Sequence, residues 1–137
     1  MFAARNLMFS ALLLFAAAAP AQLGGDIQAQ ILYAFQTEDT NSLDNLMQDL
    51  GERVKADAGN AALKYHLAHA EYRRGLLADR SNAHEAEAES AFADCIDHLK
   101  PVLSQDVKSV EALTLQSACY SGLAEHRSLQ AVLLRSR

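Results

Sequence analysis

Apolar side chains along this chain recur at three- and four-residue spacing, the period of one helical face. Ile27, Ile31, Ala34 and Phe35 predict a first helix from Asp26, after a flexible lead over 22–25. Thr37 to Ser42 is a polar break rich in residues that cap helix starts. Leu43, Leu46, Met47, Leu50 and Val54 then share one face of a second helix. It stops at Asp57-Ala58-Gly59-Asn60, where Gly59 is expected to take the positive φ of a C-cap. A third helix is predicted from Ala61 to Leu77, burying Leu63, Leu67, Ala70 and Tyr72.

The Asp79 to Asn82 stretch reads as a loop, with Ser81 or Asn82 capping a fourth helix that begins near Ala83. That helix carries Ala88, Phe92, Cys95, Ile96 and Leu99 on one side, and Pro101 is expected to bend or end it. Asp106 or Ser109 would cap a fifth helix bearing Val110, Leu113, Ala118, Cys119 and Tyr120. A final helix is predicted from Leu123 or Ser128 onward. No strand pattern intervenes, so the fold class expected is all-α. Helices this short are marginal alone in water and must pack as antiparallel hairpins.

Composition agrees, because Ala, Leu, Glu, Gln and Asp dominate while Val and Ile are scarce. The first residues read differently from the rest. Met1 to Asn6 carries only Arg5, Leu7 to Ala19 is uncharged and apolar, and Ala19-Pro20-Ala21 offers small residues before a cut at Ala21/Gln22. That is the layout of a secretory signal peptide over 1–21, too short to span a bilayer and ended by a proline. The mature region 22–137 would then lie in the periplasm or be secreted. No later apolar run is long enough to cross a membrane. The net charge of −5, with both signs interspersed, leaves no footprint for nucleic acid.

Two segments repeat one another. Leu67-Ala68-His69-Ala70-Glu71-Tyr72-Arg73-Arg74-Gly75 has the form L-small-x-A-x-Y-x-x-G. Leu115 to Tyr120 gives L-x-x-A-x-Y again, with Ala118 central and Gly122 one place early. Ala88, Phe92 and Cys95 place small, aromatic and small residues at intervals of four and three. Over roughly 26–135 the chain resembles the tetratricopeptide repeat, a two-helix unit of about 34 residues. The resemblance implies a short right-handed solenoid of about 2.5–3 repeats. Small residues would let backbones approach, and a large neighbour would fill the groove beside them. Gln36 and Glu38 depart from the pattern, and the turn near 77–83 is lengthened.

Such arrays present first-helix residues to ligands. Those not claimed by packing are Lys64, His66, His69, Arg73, Thr114, Ser117 and Ser121, with Tyr65 beside them. They define a groove for a protein or peptide. Cys95 and Cys119 admit two readings: a disulfide suited to an oxidising compartment, or two thiols packed as small apolar residues. His66 and His69 would hold a metal only if a third ligand joined them. His84 among Glu85, Glu87 and Glu89 reads as a solvated helix start. No nucleophile elbow, phosphate loop or Cys-x-x-Cys occurs.

The expectation is a non-catalytic, cofactor-free exported adaptor that binds a protein or peptide. The alternatives are a homo-oligomer formed through the uncovered stripe Leu129, Val132 and Leu133, and a small metal-binding or enzymatic protein using His66 and His69.

Overall fold

The computed structural model describes the backbone of residues 21–81 and 84–135 and the side chains of 26–81 and 84–127. The expected signal peptide and the side chains of the 129–133 stripe lie outside these. Among the described residues the structure is all-helical: α1 (Ala21–Gln36), α2 (Thr40–Ala56), α3 (Ala61–Arg80), α4 (Glu85–Gln105) and α5 (Val110–Arg135).

Local chemistry sets most of the ends. Asp39 caps α2, accepting from the Ser42 N–H at 3.0 Å and the Ser42 hydroxyl at 2.7 Å. Those bonds, the backbone one foremost, hold the Asp39 carboxyl below its usual range. Asn60 caps α3 by accepting from Leu63 N–H at 3.1 Å, and Ser109 Oγ accepts from Ala112 N–H at 3.3 Å at the start of α5.

Several boundaries differ from expectation. The α1 helix begins at Ala21, so the presumed lead 22–25 is helical. The positive φ falls at Glu38 (55°), and no described glycine has one, Gly59 included. Asp57 closes α2 with an ordinary N–H bond to Arg53 O, and Asn60 N–H returns to Asp57 O, so no left-handed residue is required. The lengthened turn is absorbed mainly by helix, since α3 runs on to Arg80. His84 occupies the N-cap of α4, where its ring Nδ1 lies 3.1 Å from Glu87 Oε1 rather than capping a backbone N–H. Pro101 lies inside α4, which continues to Gln105. The expected break near Leu123 or Ser128 is absent. Gly122 and Ser128 weaken a helix without stopping it, and α5 passes through both.

The helices meet only their near neighbours. Among the described residues α3 packs on α1, α2, α4 and α5; α1 also touches α2, and α4 touches α5. Neither α1 and α5 nor α2 and α4 approach each other. One face is therefore built from α1, α3 and α5, and the other from α2 and α4. The core divides at α3. On one side Leu67, Ala70 and Leu77 pack with Ile27, Ile31, Ala34, Leu43 and Leu50. On the other, Ala68 and Ala78 pack with Phe92, Cys95, Leu99, Leu115, Cys119 and Leu123.

Phe92 is the centre of that second core, at 1% exposure. A Cβ built on Gly75 of α3 would lie 2.8 Å from its ring, and one on Gly122 of α5 would lie 2.7 Å away. The ring thus sits against two bare backbones at once. A disulfide joins Cys95 of α4 to Cys119 of α5, with Cα atoms 6.4 Å apart. Arg74 ties three helices together: from α3 its Nε donates to Asp44 on α2 at 2.8 Å, and its Nη2 donates to Glu87 on α4 at 3.1 Å.

The expected face of α5 needs correction. Val110, Leu113 and Tyr120, the last assigned to repeat packing, are 69%, 43% and 51% exposed. Cys119 and Leu115 are buried as expected, and Ala112 and Leu123 join them on the inward side. The helix is apolar on both sides, and the disulfide and Phe92 select which side turns in.

Candidate functional site

The face built from α1, α3 and α5 carries a groove of about 520 Å³. Helix α3 forms its floor through Tyr65, His69, Tyr72 and Arg73. Gln28 and Leu32 of α1 stand on one side. Val110, Glu111, Thr114, Leu115 and Ala118 of α5 stand on the other. A second hollow of about 500 Å³ continues along α3 toward its N-terminus, past His66 to Val102, Gln105 and Asp106 at the end of α4. Tyr65 and Glu111 line both, so the two form one trough.

Tyr65, His69 and Arg73 follow one another at four-residue steps, which places them in a row on one side of α3. Arg73 Nε donates to His69 Nε2 at 3.2 Å. That bond needs the Nε2 lone pair, so the ring proton belongs on Nδ1. Burial, then the Arg73 charge and His66, pull His69 down to about 4. Burial and the more distant Arg53 lower His66 as well. Both Nδ1 atoms are shut off from solvent without a hydrogen-bond partner among the described residues.

The Arg73 guanidinium lies 4.7 Å from the Phe35 ring centre and 5.6 Å from that of Tyr72. Arg80, one α3 heptad further on, stands 5.0 Å from the same Phe35 ring. Burial raises the Tyr65 hydroxyl, and the Glu111 charge adds to this. The trough is thus aromatic along its floor and holds Arg73 and Glu111 as opposite charges.

No family model, curated protein or solved structure matches this chain. The site is therefore argued from its geometry. Of the residues expected in the groove, His69, Arg73 and Thr114 line it, and His66 lines the adjoining hollow. Lys64, Ser117 and Ser121 line neither. Tyr72 and Leu115, assigned to packing, serve packing and groove together, whereas Ala118, also assigned to packing, is half-buried and lines the groove. Gln28, Leu32 and Val110 were not expected. No local pattern marks them, because they belong to the trough only once α1 and α5 flank α3.

The opposite face carries a groove of about 460 Å³ between α2 and α4. Its floor holds a pair that sequence reasoning missed. Glu71 is 5% exposed, and its Oε2 lies 3.0 Å from His98 Nδ1. Burial raises Glu71 against the opposing His98 hydrogen bond. The hydrogen bond to Glu71 raises His98 despite burial. His126, buried at the other end of α3, brings its Nε2 within 3.5 Å of Asp79 Oδ1. At that distance the contact is electrostatic rather than a hydrogen bond. Among the described residues no three His, Cys, Asp or Glu side chains converge as a metal site would require, and no helix is long and apolar enough to cross a membrane.

Proposed function

We propose that this chain is an exported adaptor, a short stack of tetratricopeptide-type helical hairpins that binds a protein or peptide along the α1–α3–α5 face and catalyses nothing. One observation carries the reading: α1 and α5 both pack on α3 but not on each other, leaving an aromatic trough between them. Nearest-neighbour packing is what a hairpin stack produces, whereas a closed bundle would also join its outer helices. The positions of Ala88, Phe92, Cys95 and Gly75 at the helix crossings fit the repeat. Export is supported by the N-terminal pattern and by a disulfide, which suits an oxidising compartment. The non-catalytic reading is supported by the Ser and Thr hydroxyls lining the trough among the described residues, Thr114 and Ser109: Ser109 Oγ caps α5 by accepting from Ala112 N–H, and neither hydroxyl is hydrogen-bonded to a histidine.

A random-peptide display selection on the purified protein tests the reading. Enriched sequences are expected, and Thr114→Trp, which fills the trough from an exposed position, should abolish their capture. No enrichment, or equal capture by the variant, would refute it.

A second reading rests on the exposed Val110, Leu113 and Tyr120 along one stripe of α5. It proposes a homo-oligomer formed through that stripe and the 129–133 residues beyond it. Light scattering should then show an oligomer that Leu113→Glu converts to monomer. A monomeric parent protein ends this idea.

A further inference from the structure

We propose that the occupant of the trough is an extended segment of another protein carrying one acidic and one basic side chain about three or four residues apart, the acid against Arg73 and the base against Glu111. This rests on the peptide-binding reading above and adds to it a charge order and a spacing.

Arg73 is set apart from the other described arginines. Arg53, Arg74, Arg80 and Arg127 each meet a carboxylate within 3.5 Å. Arg73 meets none among the described residues, and its Nε is spent on His69. Its remaining N–H groups are those of a planar fork suited to a carboxylate. The neighbouring histidine adds no second cation at neutral pH, since burial keeps that ring neutral. Across the trough Glu111 also has no ion pair or hydrogen bond among the described residues, although it stands beside Tyr65 and lines both hollows.

The spacing follows from α3. Tyr65 and Arg73 are separated by eight residues, which at helical rise is about 12 Å. An extended chain covers about 3.3 Å per residue, so the two charges of a bound segment fall roughly three or four residues apart. Between them the floor is the neutral His69 ring with Tyr72 and Leu115, which calls for apolar side chains in the middle of the segment. Placing each ligand charge opposite an unpaired protein charge fixes direction more than it adds affinity. A segment of reversed order would set like charges together at both ends.

An octapeptide array of Ala and Leu, with one Glu and one Lys moved independently, tests this on the purified full chain. Capture is expected where the two charges lie three or four residues apart in one order, at least tenfold above the reverse order. The double swap Arg73→Glu with Glu111→Arg should transfer capture to the reverse order. Because Arg73 also packs on Phe35, the neutral pair Arg73→Gln with Glu111→Gln provides a second variant, and it should lose the order preference. Capture that ignores order and spacing, a swap that fails to invert it, or a neutral pair that keeps it overturns the charge proposal. If display-selected peptides bind the trough while the charged array does not, only this proposal falls. If neither binds, the peptide-binding reading falls with it.

Discussion

The two halves that share α3 are held together in different ways. The α1–α2–α3 half fills its interior with branched side chains: Ile27, Ile31, Leu43, Leu50 and Leu67. The α3–α4–α5 half also buries branched side chains, Ile96, Leu99, Val102, Leu115 and Leu123, but adds to them a set of small residues, one aromatic ring and a covalent bond. Ala68, Ala78, Ala88 and Ala112 let the helices close up, Phe92 takes the space against Gly75 and Gly122, and Cys95 is joined to Cys119. The first half spreads its burial over many similar contacts. The second concentrates it on a ring and a bridge, so a few atoms decide whether α5 stays in place. The trough depends on both halves, because α1 supplies one side and α5 the other.

The largest expected effect falls on the concentrated half. Phe92→Ala removes a ring that is almost wholly buried and should cost about 3–5 kcal/mol. Hydrogen exchange should quicken first in α4 and α5. A loss below about 1 kcal/mol by denaturant titration would mean that the second half is as diffuse as the first.

Reduction of the disulfide comes next. The closed loop spans 24 residues, and freeing it should lower stability by about 3.5 kcal/mol, mainly through the unfolded chain. The comparison predicts that α5 frays while α1 and α2 keep their protection. Identical thermal unfolding with and without dithiothreitol would break it.

Acid should act on the halves with opposite sign. In the unfolded chain His69 titrates near 6.5, and in the fold near 4. Above 6.5 both states are neutral. As pH falls from 6.5 to 4 the unfolded chain takes up a proton that the fold refuses, and stability drops by on the order of 3 kcal/mol. This loss centres on the row beside Phe35 and α1. The Glu71–His98 pair behaves the other way, since both groups are raised in the fold. The His98 contribution is fully present below 6.5 and is lost as pH rises through the folded value. Denaturant midpoints at pH 7 and pH 4.5 should show a smaller acid loss in His69→Gln than in the parent protein. An unchanged acid slope would remove His69 from the account.

How far the residues alone disclosed this arrangement also differs between the halves. The α2 face and the packing roles of Gly75, Ala88, Phe92 and Cys95 were legible because each follows from spacing within one helix. The inward side of α5 was legible only in part, at Leu115 and Cys119. Val110 and Leu113 continue one apolar stripe, and Ala112, Leu115 and Cys119 form another, so periodicity cannot choose between them. Gly122 looked like a displaced repeat glycine, whereas it gives Phe92 room inside a continuous helix. The burial of Glu71 was hidden for a related reason, since its partner His98 lies on another helix. Half of the groove was legible through His69, Arg73 and Thr114. Its α1 side exists only by virtue of tertiary packing.

The smallest effect separates the halves most directly, because it uses the same substitution in each. Gly51 lies within α2, and a Cβ there would meet nothing within 4 Å. Gly51→Ala should therefore stabilise by about 0.5–1 kcal/mol, through the reduced freedom of the unfolded chain. Gly122→Ala gains the same helix preference but drives a methyl group into the Phe92 ring, where overpacking costs about 1–3 kcal/mol, so the net change should be a loss. The same ring atoms, Cε1 and Cζ, also lie against Gly75, so the ring has little room to shift there. Shrinking it should relieve the clash, and Gly122→Ala combined with Phe92→Leu should cost less than the sum of the two alone. Strict additivity in that double-mutant cycle would show that the ring yields to the methyl group. The second half would then lack the rigidity that distinguishes it from the first.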